Sequence, residues 1–353
     1  MCEKGVFYFG PYFTSEGLET RVRSVQMLGN QQVTVADRPE PLAGDGLVTV
    51  KVEASAICGS ERHSYFDHGV PDGNGGHEAA GTVVDAGGST RLNPGDRVAL
   101  HASAPCGQCC QCCQCCQCWA GNWVLCESPT TRRGTRGNHA QYVALDEARC
   151  LSLPDDVSLE TGSLLGDVLG TPFRAIQKVG VTALDRVLIM GQGPVGLAAT
   201  MICKFLNAHV VVANVNDYRL EQARACGADE TLNPLRDDVL EVAPEVALDC
   251  TGNPTAQTAC LDAARVGGRV ALIGVTNDGP TIDTMKHFTL KELTVYGSWY
   301  STPMDHLELI ELLRRGLPAD QMITHRFDIE DAPQAFSAFF NGEAAKVIIT
   351  PWG

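Results

Sequence analysis

At 353 residues the chain is long enough for two domains, each with its own core. A hydrophobic fraction of 44%, a charged fraction of 20% and 36 glycines suit a globular α/β protein and exclude a disordered or fibrous one. The net charge of −15 argues against a nucleic-acid or anionic-membrane partner, and no apolar stretch reaches the roughly 20 residues that span a bilayer.

Residues 1–22 read as an N-terminal extension. Its start, "MCEKGVFYFGPYF", lacks the basic region and continuous apolar core of a secretion signal. The expected compartment is the cytoplasm, where the 16 cysteines would stay reduced and a clustered set would bind metal rather than form disulfides. Strand-like alternation begins at "RSVQML" (23–28) and "QVTVAD" (32–37). It continues through "GLVTVKVEASAIC" (46–58), "EAAGTVVDAG" (78–87) and "GDRVALHA" (95–102), which predicts a mostly β domain with a partly open barrel. The basic run "TRRGTR" (131–136) reads as a polar loop. From about residue 170 apolar strands alternate with amphipathic helices, as in "DRVLIMGQGPVGLAATMICKFLNAHVVVANV", "EVALDCTG" (245–252) and "GGRVALIGV" (267–275). That rhythm predicts a doubly wound parallel sheet. The tail reads as two helices and a final strand that returns to the first domain.

"VLIMGQGPVG" (187–196) sets Gly191, Gly193 and Gly196 in G-x-G-x-x-G register between a strand and a helix. The first glycine permits a tight turn, the second a close approach to pyrophosphate, and the third close helix packing. Pro194 and Val195 lie in the same turn at the helix N-terminus, where phosphate is favoured. Asn214 ends the next strand, where an NAD site would carry an acidic residue for the ribose. Asp217 and the basic Arg219 stand nearby, so NAD(H) is favoured over NADP(H) only slightly. Thr251, after the strand "EVALD", joins the candidate cofactor residues.

In the first domain, "ICGSERH" (57–63) and "GGHEAAG" (75–81) offer Cys58, His77 and Glu78: a thiolate, an imidazole and a carboxylate, all good zinc ligands. With "NPGDRV", "LPDDVSLE", "GQGPVG", "NDYRL", "GAD" and "KVII" in the same order, the chain resembles the zinc-containing medium-chain dehydrogenases over residues 23–353. It is most similar to the threonine and polyol (sorbitol-type) dehydrogenases.

The resemblance implies an α/β fold. A GroES-like, mostly β catalytic domain (23–168 and 301–353) would hold zinc, and a Rossmann doubly wound parallel-sheet domain (169–300) would be inserted within it. It also implies catalytic zinc on Cys58 and His77, with Glu78 as an inner or exchanging ligand and Asp167 of "LLGDVLGTPF" as the third protein ligand. Aspartate where relatives use cysteine or glutamate would make the zinc less thiolate-rich and more electrophilic. Ser60 and His63 match the family's relay, in which the hydroxyl takes the substrate proton and passes it through the cofactor ribose and the histidine to solvent. Thr171 matches a position near the nicotinamide. Lys346 matches a basic residue near the cofactor and the zinc-proximal glutamate. At Glu61 the family usually has an aspartate orienting the zinc-bound histidine, and the longer side chain could keep that role. A homodimer or homotetramer is implied as well.

"CGQCCQCCQCCQC" (106–118) holds eight cysteines in thirteen residues. Deleting two CCQ units restores the structural-zinc spacing of the family, C-x2-C-x2-C-x7-C, so the stretch reads as a zinc lobe lengthened by a triplet repeat. Cys112, Cys115, Cys118 and Cys126 keep the local spacing, and Cys106, Cys109, Cys112 and Cys126 are the other register. Four thiolates complete a tetrahedral site.

The sequence thus points to a zinc-dependent, NAD(P)-linked oxidoreductase interconverting a secondary alcohol and a ketone. Its expected substrate is a small hydrophilic molecule such as a polyol, sugar, cyclitol or hydroxy amino acid. The alternative is a metal-buffering or redox-sensing protein that uses the cysteine repeat on a dehydrogenase scaffold.

Overall fold

The computed structural model describes residues 20–44, 46–104, 116–126 and 137–353. Strands β1 (Arg21–Gly29) and β2 (Gln32–Pro39) form an antiparallel hairpin. Its turn residues Asn30 and Gln31 take φ of 50° and 62°, the left-handed pair that matches the twist of a tight hairpin. The first strand starts ahead of "RSVQML", and residues 1–19 of the expected extension lie outside the described residues.

A first sheet grows from β3 (Leu47–Ala56), β4 (Glu78–Asp85), β5 (Arg97–Leu100), β6 (Tyr142–Asp146) and β7 (Cys150–Ser152). Two helices follow, α1 (Leu159–Leu165), capped by the Ser158 side chain, and α2 (Gly170–Val179). The chain then enters a six-stranded parallel sheet: β8 (Arg186–Met190), β9 (His209–Ala213), β10 (Glu230–Leu232), β11 (Val246–Asp249), β12 (Arg269–Leu272) and β13 (Thr294–Gly297). Helices α3 (Pro194–Phe205), α4 (Asp217–Ala225) and α5 (Pro254–Ala263) make its crossovers.

Alternation along these strands sorts their side chains to two faces. Val187, Ile189, Val210 and Val212 cluster with α2 and α3 on one face. Leu188, Met190, Val211 and Ala247 cluster with α5 on the other. Burial on both faces explains why these strands are almost uninterruptedly apolar. The strand order is β10-β9-β8-β11-β12-β13, so the winding reverses between β8 and β11. The crevice beyond their carboxyl ends is where such sheets bind ligands.

After α6 (Pro303–Arg314), strand β14 (Ile323–Asp328), helix α7 (Ala332–Phe340) and strand β15 (Lys346–Thr350) complete the chain. β15 pairs antiparallel with β3, and β14 lies parallel to β15 at the edge. The first sheet therefore runs β14-β15-β3-β4-β5-β7, with β6 also on β3. The sequence pattern of the tail did not announce β14. "ITHRFD" is a half-exposed edge strand whose polar residues mask the alternation. Among the described residues, no helix is long and apolar enough to cross a membrane.

Candidate active site

Cys58 follows β3 directly and caps a single tight turn, Gly59–Glu61. Its sulfur accepts from the Ser60 amide at 3.5 Å, and Glu61 reaches back to the Cys58 amide at 3.0 Å. This is a capping box in which sulfur stands where a serine oxygen usually would. His77 and Glu78 lie where the chain enters β4. The Nδ1 of His77 donates to the Gly75 carbonyl at 2.9 Å, which turns Nε2 toward the other candidate ligands. Asp167 sits between α1 and α2, its backbone carbonyl accepting from the Thr171 amide at 2.6 Å.

These segments converge. The ligand atoms of Cys58, His77, Glu78 and Asp167 all lie within 4.8 Å of one another. Asp167 Oδ2 is 3.1 Å from His77 Nε2 and 3.6 Å from Cys58 Sγ. Those are separations that adjacent vertices of a zinc tetrahedron require, given metal–ligand bonds of about 2.0–2.3 Å. Cys58, Glu78 and Asp167 are buried and His77 is nearly so.

The electrostatics point the same way. Burial pushes the Cys58 thiol up, and the nearby Asp167 adds to that. His77 is raised well above its ordinary value: burial opposes the charge, but the sulfur of Cys58 and the bond to Asp167 prevail. Burial also raises Glu78, to about 7, with Lys346 pulling against it and Asp167 reinforcing it. Glu78 and Lys346 are both fully buried. Lys346 Nζ donates to Glu78 Oε1 at 2.9 Å and to the Ile57 carbonyl at 2.8 Å. Glu78 Oε2 lies 2.8 Å from the same ammonium but outside hydrogen-bonding geometry, a buried carboxylate oxygen left unsatisfied. Three acidic donors around one imidazole, one of them unsatisfied, fit a divalent cation.

At the end of β8 the glycine turn has the geometry its sequence implies. Gly191 takes φ of 91°, and a Cβ on Gly196 would fall 1.9 Å from the Gly191 carbonyl oxygen. Gly193 caps α3, with Pro194 and Val195 opening its first turn. The Thr251 methyl abuts Gly191, and the Thr251 amide donates to Asp249 at 2.9 Å. Asn214 follows β9 and donates to the Asn216 carbonyl. Arg219 reaches toward the turn and donates to the Gln192 carbonyl at 3.4 Å. Asp217 is engaged elsewhere, with Arg236 and Asn233.

Other expected residues fall in mixed positions. Ser60 Oγ lies 3.2 Å from Cys58 Sγ and 3.4 Å from His77 Nε2, on the exposed side of the cluster. His63 is at the surface, its Nδ1 2.8 Å from Asp67. Thr171 donates its hydroxyl to Asp167 and so supports a candidate ligand. Lys346, expected near the cofactor and the zinc-proximal glutamate, is buried against Glu78. Glu61 makes no direct hydrogen bond to His77: its carboxylate turns to His139, 3.1 Å away, and the Gly75 carbonyl holds His77 Nδ1 instead. Cys118 and Cys126 flank the turn at 119–125, which Asn122 ties to Arg174 of α2 at 2.9 Å. Cys106, Cys109, Cys112 and Cys115 lie outside the described residues.

The structure also adds residues that no motif marked. Tyr300 takes a left-handed φ of 46° and sets its ring edge-on to His77, centroids 6.3 Å apart. Its neighbour Ser301 is held by His101, whose Nε2 donates to the Ser301 carbonyl at 2.9 Å, and by the Gly166 carbonyl at 3.2 Å.

A metal-ligand cluster and a dinucleotide turn in one chain define a metal-assisted, nicotinamide-dependent oxidoreductase. Comparison with known proteins narrows this. Residues 44–155 match the alcohol dehydrogenase GroES-like domain and residues 194–315 the zinc-binding dehydrogenase family. An L-threonine 3-dehydrogenase of Shewanella sp. (strain W3-18-1) is 32% identical over 344 residues, covering 90% of this chain and 96% of the relative. An alcohol dehydrogenase of Escherichia coli CFT073 complexed with NADH superposes with a TM-score of 0.83 at 25% identity, covering 94% of this chain and 99% of that one. A protein of Sinorhizobium meliloti 1021 assigned as a zinc-binding dehydrogenase and bound to NADP gives 0.82 at 26%, covering 94% and 100%. The chain belongs to the zinc-binding alcohol dehydrogenase family of medium-chain dehydrogenases, and it is an NAD(P)-dependent enzyme acting on alcohols.

Two outcomes follow for this geometry. Lys346→Met leaves the Glu78 carboxylate buried without its cation and should destabilise the fold by about 3–5 kcal/mol in urea denaturation, with Glu78→Gln in the same chain restoring most of it. Gly196→Ala forces the turn apart and should weaken nicotinamide cofactor binding by at least about tenfold, roughly 1.4 kcal/mol, in a fluorescence titration.

Proposed function

We propose that the enzyme oxidises, reversibly, a secondary alcohol bearing further polar groups (a polyol, sugar, cyclitol or hydroxy amino acid) to the ketone. Cys58, His77 and Asp167 hold the catalytic zinc, and Glu78 is the exchanging ligand. What carries this is the convergence of their four ligand atoms within 4.8 Å. A zinc ion there would act as a Lewis acid that lowers the pKa of the substrate hydroxyl, and the nicotinamide would accept the hydride.

The remaining work belongs to the chain. Ser60, on the open side of the cluster, takes the alcohol proton while passing its own outward. His63, exposed and paired with Asp67, delivers that proton to solvent. Thr171 fixes the Asp167 carboxylate by hydrogen bonding one oxygen, which leaves the other toward His77 and Cys58. The Tyr300 ring stands edge-on to His77, with Trp299 5.9 Å from Tyr300. The locked Ser301 backbone holds the Tyr300 phenol where a second substrate hydroxyl would lie. The structural zinc belongs to the cysteine lobe, and the chain assembles as a homodimer or homotetramer.

For the cofactor, the neutral Asn214 and the engaged Asp217 leave no free carboxylate to repel a 2′-phosphate. Arg219 forms no ion pair among the described residues. These positions weaken the preference for NAD(H) that the sequence gives and favour use of both cofactors.

Turnover of a panel of polyols, cyclitols and hydroxy amino acids with NAD and with NADP tests the assignment. Activity should fall at least about a thousandfold in Cys58→Ala, roughly 4 kcal/mol of transition-state stabilisation. A Cys58→Ala protein as active as the parent would remove the metal from the mechanism. Arg219→Ala should lower kcat/KM for NADP about tenfold more than for NAD, and an equal loss for both would assign Arg219 to the shared pyrophosphate.

A further inference from the structure

Behind the metal ligands lies a buried polar chain that the catalytic scheme does not use. Ser55 Oγ is 2.7 Å from His139 Nδ1, and His139 Nε2 is 3.1 Å from Glu61 Oε2 and 3.3 Å from Oε1. Ser55 and His139 are 0% exposed and Glu61 3%. Buried polar groups persist where they are hydrogen-bonded into a defined arrangement, so the chain holds its members in one geometry.

Two features connect this chain to the cluster. Glu61 Oε1 also accepts the Cys58 amide at 3.0 Å, which fixes the backbone that aims the sulfur. On the other side, Glu61 and His139 close over the two glycines that precede His77. A Cβ on Gly75 would sit 3.1 Å from Glu61 Cγ, and one on Gly76 would sit 2.8 Å from the His139 ring. Gly75 is the residue whose carbonyl holds His77 Nδ1. Asn74, 2% exposed, stitches the same segment: its Oδ1 accepts from the Gly76 amide at 3.1 Å and the His139 amide at 3.2 Å.

We propose that Glu61 and His139 are positioning residues forming one brace that fixes both Cys58 and His77 for the catalytic metal. The brace replaces a direct carboxylate–histidine contact: a carboxylate one methylene longer than aspartate acts on the cysteine through its amide and on the histidine through packed glycine backbone. The proposal rests on the metal assignment above. Residues that orient ligands in this way typically change metal affinity 10–100-fold when altered.

The test uses the full-length protein loaded with cobalt(II), whose visible bands report ligand geometry independently of turnover. Because the cysteine lobe would also bind cobalt, each spectrum is taken as the difference from the same protein carrying Cys58→Ala. Glu61→Gln and His139→Gln should each shift or broaden the visible bands and weaken metal affinity at the site about tenfold or more. The double variant should be little worse than either single, because both act through one brace. Glu61→Asp, which keeps the charge and shortens its reach, should give a smaller shift in the same direction, and it carries the test if the glutamine variant does not fold.

Unchanged bands and affinities within twofold in folded single variants would overturn the brace alone. So would two losses that simply multiply in the double variant. A parent protein showing no Cys58-dependent cobalt band would overturn the metal assignment and the brace with it.

Discussion

The fold closes on an ion pair that has no access to water. Lys346 opens the last strand of the chain, Glu78 opens β4, and the Ile57 carbonyl that shares the ammonium sits at the end of β3. Two charges buried this deeply cost several kcal/mol each in lost hydration, and only their pairing makes the burial tolerable. Such a pair adds little net stability, yet it heavily penalises any arrangement that separates the partners. Here those partners are 268 residues apart in sequence. The constraint requires the C-terminal segment to return to the first sheet, and it fixes the end of β3 from which Cys58 projects. A site assembled from distant segments thereby acquires a single register.

Rigidity at the cluster comes from where its residues sit on the elements. Cys58 stands just past a strand, His77 just before one, and Asp167 between two helices whose ends are tied down. None hangs on a long loop. Each is held by a local bond that leaves its ligand atom free: an amide on the capping box, a carbonyl on His77 Nδ1, a hydroxyl on Asp167. The dinucleotide turn is built on the same logic, at the reversal point of a parallel sheet packed on both faces. Placing reactive atoms on the ends of packed elements limits their motion without burying them out of reach.

Much of this was legible in the sequence, because the features involved are local. The glycine turn, the strand–helix rhythm after residue 170 and the return of the tail are written in short motifs and their periods. Pairings across long sequence distances were not. Glu61 looks like a near-substitute for an aspartate that orients a histidine, and nothing in "ICGSERH" reveals that its partner lies 78 residues away. His139 stands in "GNHAQY" without any metal-ligand spacing, so its role emerges only once β3 and the 74–77 segment pack together. Tyr300 escaped notice for a different reason: left-handed backbone at a bulky residue is rare, and sequence favours glycine or asparagine there. Edge strand β14 was hidden by the polar side chains that protect it.

The ligand set has an electrostatic consequence that the buried ion pair makes explicit. With a metal bound, Cys58, Asp167 and Glu78 would be ionised, placing three negative charges in a largely buried volume against the one positive charge of Lys346. A divalent cation among them would bring the ensemble to neutrality, which no monovalent ion would do. Such a balance suits an uncharged alcohol, which can enter without displacing a counterion. The same condition suits the burial of Lys346: at the surface it would be screened by solvent, and Glu78 would lose the ammonium that pulls against the rise caused by burial and Asp167.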